Sequence, residues 1–213
     1  MRASHACPTA EHELAFHEGG AWPVAGVDEA GRGALAGPVV AGAVVADWTT
    51  RQPWHDGVRD SKQLNGAQRE RLYHEIINGA ASVGLGVVDS DEIDAIGIAA
   101  ASRKAMYQAL SALSVAPGGV LIDWFILPSL RIRQEGVTEG DARCISIAAA
   151  SIVAKVTRDR MMQELDQQYS GYGFASHKGY GTASHLRCLR QLGASPVHRV
   201  SFRPVRLQIG GLL

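Results

Sequence analysis

Short apolar segments of strand length, separated by glycine-rich turns, most constrain how this 213-residue chain can fold. Three of them, at 24–28, 38–46 and 82–88, are rich in Val, and a fourth, at 120–123, is apolar up to its final Asp. The first two flank the glycine-punctuated segment 29–33, which predicts an antiparallel hairpin. Because later strand-like segments alternate with segments of helical periodicity, the sequence indicates an α/β fold with a mixed sheet flanked by helices.

Apolar side chains at helical spacing define the rest of the pattern. The clearest run lies between 145 and 156, where apolar residues recur at intervals of four, three and four. Helices are predicted over 11–18, 68–81, 89–113, 145–168 and 183–192, a further strand over 130–137, and an irregular tail after 202. We interpret residues 1–20 as an N-terminal segment and 21–213 as a single domain with a C-terminal helical and irregular extension.

The formal net charge of zero hides a strong asymmetry along the chain. Residues 1–141 contain 11 Lys or Arg and 18 Asp or Glu, whereas residues 142–213 contain 10 and 3. No acid follows Asp166, although six basic residues do. A basic region at about 169–213 is typical of a surface that binds polyanions, and an Arg-rich solvated surface is the alternative.

Cysteine spacing and hydropathy indicate the cellular setting. Cys7, Cys144 and Cys188 are too far apart for a disulfide framework or a Cys-x-x-Cys metal site. No segment has the length and apolar character of a membrane span, and residues 1–20 lack the basic-then-apolar order of a signal peptide. We therefore expect a cytoplasmic protein that does not associate with membranes.

Four acids stand where an apolar core would not place them. They are Asp28 and Glu29 at the end of the first strand, Asp123 at the end of the 120–123 strand, and Asp141 just before the long apolar helix. A carboxylate at the end of a buried strand must be solvated, paired or bound to a metal. Several carboxylates brought together repel one another unless a divalent cation compensates their charge, and oxygen ligands suit Mg²⁺ or Mn²⁺ rather than Zn²⁺.

Each acid also has a simpler interpretation. Asp141 fits the N-cap of a helix, Asp123 fits the start of a turn, and the first two acids fit an exposed hairpin end. Adjacent residues of a strand point to opposite faces, so Asp28 and Glu29 reach one metal only if Glu29 already lies in the turn.

Five groups of short motifs follow one another along most of the chain. They are VAGVDEAGRG at 24–33, DSKQL at 60–64, LID at 121–123, GD at 140–141 with SIAAASIVAKVTRD at 146–159, and YGF at 172–174 with HKGYGT at 177–182, followed by HR at 198–199. In this order and spacing they strongly resemble the motifs of the bacterial ribonuclease HII family.

The resemblance implies a ribonuclease H-like fold and a metal-dependent endoribonuclease. The implied reaction cleaves the phosphodiester 5′ of a ribonucleotide, in RNA–DNA hybrids and in duplex DNA with embedded ribonucleotides, and leaves 3′-hydroxyl and 5′-phosphate ends. Two divalent ions, Mg²⁺ or Mn²⁺, would be held by Asp28, Glu29, Asp123 and Asp141. Such ions activate a water and stabilise the leaving oxygen. The implied partners are RNA–DNA hybrid and ribonucleotide-containing duplex DNA, and we expect the protein to be a monomer.

Eight residues are implied to bind substrate: Gly31, Arg32, Gly33, Lys62, Lys155, Lys178, Tyr180 and Arg199. The glycines would bring backbone to the ribose 2′-hydroxyl, which distinguishes RNA from DNA. Tyr180 would stack on the neighbouring sugar, and the side chains of Lys62, Lys155, Lys178 and Arg199 would contact phosphates. Two alternatives stay open: Lys155 extends to the surface from an apolar helix, and Tyr180 packs on its own loop.

Two positions depart from the family pattern. Trp124 stands where Gly usually follows the third acid, and Glu139 stands where Lys is common before Gly140. These changes put efficiency and substrate choice in doubt more than the reaction class. The alternatives are another nuclease on this fold, such as a sibling hybrid ribonuclease or a junction resolvase, and a catalytically impaired hybrid-binding module.

Overall fold

A five-stranded mixed sheet lies at the centre of the computed structural model, which describes residues 7–209. The strands are β1 (Val24–Ala30), β2 (Val39–Val45), β3 (Ser82–Val88), β4 (Gly119–Asp123) and β5 (Arg133–Val137), in the spatial order β3-β2-β1-β4-β5. β2 is antiparallel to β1 and to β3, whereas β4 is parallel to β1 and to β5. The predicted hairpin and mixed sheet are therefore confirmed.

Helices connect and cover the strands. They are α1 (Glu11–Glu18), α2 (Gly66–Gly79), α3 (Ser90–Ile96), α4 (Ile98–Ser111), α5 (Gly140–Arg143), α6 (Ile145–Gln168), α7 (Phe174–His177), α8 (Ala183–Leu192) and α9 (Arg203–Ile209). The predicted bounds of α1, α6 and α8 agree with the structure, and the Thr182 side chain accepts the capping hydrogen bond of α8 from the His185 N–H.

Glycines in the strands let a helix approach each face of the sheet. A Cβ on Gly26 of β1 would lie 2.1 Å from the carbonyl carbon of Ser146 in α6. On the other face, a Cβ on Gly86 of β3 would lie 1.9 Å from the carbonyl oxygen of Ala105 in α4. The sheet is thus buried between α6 and α4, and the core divides into one apolar cluster on each face.

Four predicted elements differ from the structure. The helix predicted over 68–81 is α2, which begins and ends two residues earlier. The helix expected over 89–113 is two helices, because Gly97 between them has a φ of +79°. β5 begins at Arg133 rather than at 130. The tail expected to be irregular contains α9, whose second residue is Pro204, a position where the missing N–H breaks no helical hydrogen bond.

The described part of the N-terminal segment packs on the core. Phe16 of α1 is buried against Gly119, and the buried Glu13 carboxylate accepts a hydrogen bond of 2.9 Å from the Ser146 N–H at the start of α6. Glu13 therefore satisfies a backbone donor that the first turn of α6 would otherwise leave free. None of the helices within residues 7–209 combines the length and apolar character needed to cross a membrane.

Candidate active site

The four candidate acids gather at one edge of the sheet. β1 and β4 are parallel, and their pairing ends at Val27 and Ile122, so Asp28 and Asp123 both follow at the same edge. Asp141 reaches this edge as the second residue of α5, which follows β5. Asp28 and Asp141 are each only 6% exposed. The fold therefore places carboxylates from three separate motifs next to one another.

The pKa values of the four acids reflect how close together their carboxyl groups lie. The pKa of Asp28 is raised well above its usual value by burial, and then by the negative charges of Glu29, Asp123 and Asp141. Burial is also the main reason why the pKa of each of the other three is raised, and Asp123 adds to this for Glu29 and Asp141. The Glu139 carboxylate raises the pKa of Asp123 further, as its replacement of a basic residue predicts. Such a cluster favours a compensating cation.

Nearby groups supply part of that compensation. The Lys62 ammonium lies 3.1 Å from Oδ2 of Asp141. Burial lowers the pKa of Lys62, but the Asp141 charge and hydrogen bond outweigh it and leave the pKa raised. Nη1 of Arg32 lies 3.6 Å from Oε1 of Glu29, and the Gly140 N–H donates a 2.8 Å hydrogen bond to Oδ1 of Asp123. Lys62 thus contacts a carboxylate here rather than solvent alone.

The donor set fits hard divalent cations, although the side chains are not yet arranged around one point. Within residues 7–209, no three His, Cys, Asp or Glu side chains surround a position in a way that could hold a metal ion. One reason is that Glu29 still belongs to β1, opposite Ala41, so its side chain leaves the sheet on the face opposite to that of Asp28. Four carboxylate groups with raised pKa values remain suitable ligands for Mg²⁺ or Mn²⁺.

A tight turn beside the acids contains the two glycines expected to approach substrate. The Ala34 N–H donates to the Gly31 carbonyl at 3.2 Å, and Gly31 has a φ of +93°. A Cβ on Gly31 would lie 1.9 Å from Nε of Arg158, whereas a Cβ on Gly33 would meet nothing within 4 Å. The fold itself therefore requires glycine at 31 but not at 33. The Arg32 side chain between them is 45% exposed.

Arg158 of α6 joins the segment that follows this turn to the loop of Tyr180. Its guanidinium is fully buried and donates to the carbonyls of Pro38 at 2.8 Å, Ala36 at 3.1 Å and Lys178 at 2.9 Å. A guanidinium is suited to this role because its five N–H donors have a fixed planar geometry. In the sequence, Arg158 stands out only as part of the 146–159 motif. Its burial among carbonyl groups depends on backbone that is distant in the chain, so local patterns do not indicate it.

Arg199 has a different place from the one expected. It is fully buried, donates twice to the Gly37 carbonyl at 2.8 and 3.0 Å, and donates once to the Arg32 carbonyl at 3.0 Å. Burial, followed by the nearby Arg158 charge, lowers its pKa to about 9. The expected phosphate contact does not fit this placement, because the guanidinium is enclosed by protein carbonyls. Arg199 supports the turn at 31–34 from behind.

The loop that carries Tyr180 lies against the same turn. The Leu35 N–H donates to the Gly179 carbonyl at 2.8 Å, and the Tyr180 ring centroid lies 5.4 Å from the Arg158 guanidinium carbon. Nζ of Lys155 lies 5.9 Å from that centroid, and it also pairs with Asp159 at 2.7 Å. The ring is 37% exposed. Tyr180 and Lys155 are thus brought together with the glycine turn.

Lys178 is partly engaged by its own loop. Its Nζ donates to the Ala175 carbonyl at 2.7 Å, and its φ is +52°. Burial is the main reason why the pKa of Lys178 is lowered; the Asp159 carboxylate opposes this shift, whereas the positive charge of Lys155 adds to it. Its half-buried ammonium therefore lies among charges of both signs.

Comparisons with known proteins agree with these features. The family model described as Ribonuclease HII matches residues 25–205. Ribonuclease HII of Dehalococcoides mccartyi is 50% identical over 212 residues, covering 100% of both chains. Ribonuclease HII of Geobacter metallireducens is 53% identical over 183 residues, covering 86% of this chain and 84% of the relative. The crystal structure of ribonuclease H2 from Pyrococcus horikoshii superposes with a TM-score of 0.76 at 29% identity, covering 88% of this chain and 97% of that one. The expected ribonuclease H-like fold is confirmed, and the chain belongs to the ribonuclease HII family of ribonuclease H enzymes.

Proposed function

We propose that this protein hydrolyses the phosphodiester 5′ of a ribonucleotide, in RNA–DNA hybrids and in duplex DNA with embedded ribonucleotides. The products would carry 3′-hydroxyl and 5′-phosphate ends. The observation that carries the proposal is the gathering of four carboxyl groups beside the turn at 31–34 and the Tyr180 loop. This arrangement supports the proposal because carboxylates that could hold cations lie close to groups suited to recognise a ribose.

Asp28, Glu29, Asp123 and Asp141 would hold two divalent ions, Mg²⁺ or Mn²⁺. When bound, these ions supply an activated water and stabilise the charge on the leaving oxygen. Lys62 holds Asp141 in position through its 3.1 Å contact, and the Gly140 N–H does the same for Asp123. Both contacts limit the rotation of carboxylates that must otherwise repel one another.

Recognition of substrate belongs to the neighbouring loops. The exposed backbone at Arg32 and Gly33 would approach the ribose 2′-hydroxyl, and the half-exposed Tyr180 ring would pack on the adjacent sugar. Lys62, Lys155 and Lys178 would contact phosphates and so position the duplex without reading its bases. Because Arg158 and Arg199 fasten these loops together, we assign them a supporting role.

The direct test uses duplex DNA with a single ribonucleotide, with Mg²⁺, with Mn²⁺ and with EDTA. We expect one cut on the 5′ side of the ribonucleotide with either metal, a 3′-hydroxyl on one product, and no cut in EDTA or in all-DNA duplex. Binding without cleavage under every metal condition would favour an impaired hybrid-binding module. We also propose that the protein acts as a monomer in the cytoplasm, and light scattering of the purified protein checks the oligomeric state.

A further inference from the structure

An exposed aromatic side chain follows directly after one of the active-site acids. Trp124 comes after Asp123, at the end of β4, and is 68% exposed. Its φ is +71°, and its N–H is fixed by a 3.0 Å hydrogen bond to the Val137 carbonyl of β5. The sheet therefore imposes a left-handed backbone conformation at this position, which L-residues with bulky side chains rarely adopt.

Trp124 contributes little to the stability of the free protein. A left-handed backbone conformation is unfavourable for a residue with a Cβ. An indole that stays exposed to water provides little hydrophobic stabilisation. Glycine would satisfy the same backbone without strain. The fold therefore does not explain why a tryptophan stands at this position. Residues with strained backbones concentrate at functional sites.

The surroundings of Trp124 indicate where its partner lies. The next ring, that of Phe125, has the Arg32 guanidinium 5.6 Å from its centroid, and Ile126 is 54% exposed. Arg32 belongs to the turn expected to meet the ribose. An apolar rim thus lies between Asp123 and the cationic Arg32 side chain, formed by Trp124, Phe125 and Ile126. A nucleic-acid strand offers the matching groups, because its planar bases can stack on aromatic rings and its phosphates can pair with a cation.

We propose that Trp124 is a substrate contact whose indole packs on a nucleotide flanking the scissile phosphate. The proposal rests on the proposed function. It assigns Trp124 to binding and to substrate preference, not to the chemical step, since the indole carries no group suited to proton transfer at neutral pH.

Binding of a labelled single-ribonucleotide duplex in EDTA tests the contact without cleavage. Replacing Trp124→Ala should weaken binding about 5- to 100-fold, the range found when an aromatic platform for one base is removed. Trp124→Phe should retain most of the affinity. The matched control is Leu14→Ala, which shortens an exposed apolar side chain on α1 and should leave binding unchanged. Trp124→Gly should weaken binding while raising or preserving the melting temperature, because it removes the backbone strain.

Fluorescence provides a second readout. Trp48 and Trp54 are buried at 4% and 2% exposure, so Trp124 should dominate quenching by acrylamide, with Trp22 the smaller contributor. Bound duplex should protect the wild type from quenching and should not alter quenching of Trp124→Phe. Equal affinities for wild type and Trp124→Ala, with unchanged quenching on binding, would overturn the proposal while leaving cleavage by the wild type intact. A wild type that neither binds nor cleaves the duplex would instead remove the proposed function and this inference together.

Discussion

Nε2 of His198 lies 3.1 Å from Nε2 of His185, inside the protein behind the Tyr180 loop. The Ser195 N–H donates to Nδ1 of His198 at 2.9 Å, so we assign the proton of neutral His198 to Nε2. His185 then accepts at Nε2 and donates from Nδ1 to the Tyr180 carbonyl at 3.0 Å. Two neutral histidines in a row thus hold the backbone of the residue proposed to contact the sugar.

This arrangement predicts that acid destabilises the protein. Burial, and then the neighbouring His185, lowers the pKa of His198 to about 4, and burial lowers the pKa of His185 as well. The unfolded chain, with His pKa values near about 6.5, binds more protons in the interval below that value. The free energy of unfolding should therefore fall as the pH drops from about 6.5 towards 4, with about 1 kcal/mol lost through His198 by about pH 5.5.

Urea unfolding at several pH values measures this loss. His198→Gln should show a shallower decline than the wild type between about pH 6.5 and 5, whatever its stability at neutral pH. Leu14→Ala is the control, because it shortens an exposed side chain on α1 and removes no titratable group. Parallel curves for the wild type and His198→Gln would remove His198 from the explanation.

The two glycines of the 31–34 turn should respond differently to alanine. Gly31→Ala puts a Cβ on a backbone that already has a φ of +93° and brings it against Arg158, so it should cost more than about 2 kcal/mol of stability. Gly33→Ala has open space and should change stability by less than about 1 kcal/mol. It should nevertheless slow cleavage of a single-ribonucleotide duplex by about 5- to 10-fold, the loss expected when one hydrogen bond to substrate is blocked.

Initial rates on matched duplexes, together with urea midpoints, separate the two effects. A Gly33→Ala protein that is as stable and as active as the wild type would show that the backbone at 33 does not approach the ribose.

Asp123→Asn should abolish cleavage and preserve the fold. The Asn side-chain oxygen can still accept the hydrogen bond from the Gly140 N–H, and removing a charge relieves repulsion within the carboxylate cluster. A neutral amide is a poorer ligand for a divalent ion, so the rate should fall by about 100-fold or more. Asp91→Asn, at an exposed acid in the first turn of α3, is the control and should keep the wild-type rate.

The sequence predicts those parts of the site that depend on residues close together in the chain, and it does not predict those that depend on residues far apart in it. Asp123 ends β4 and Asp28 follows the apolar first half of β1, and local patterning is enough to locate both. The bounds of α6 also follow from local periodicity. The burial of Arg199 does not follow from any local pattern, because its partners are the carbonyls of Arg32 and Gly37, more than 160 residues away. The histidine chain joins residues only 3, 5 and 13 positions apart, but no periodicity or motif indicates that the two rings meet.

The placement of Arg199 changes what its substitution should do. A phosphate-binding residue would, when neutralised, reduce the salt dependence of duplex binding by about one unit. A buried residue that fastens the turn should instead affect stability. Arg199→Gln removes the charge and the guanidinium that donates to both the Gly37 and the Arg32 carbonyls, so it should cost about 2–4 kcal/mol in urea unfolding. Its salt slope, measured below the unfolding transition, should match that of the wild type. Lys178→Met provides the comparison, because its half-buried ammonium is proposed to meet a phosphate and its loss should flatten the slope by about one unit. A flattened slope in Arg199→Gln at unchanged stability would return Arg199 to the substrate surface.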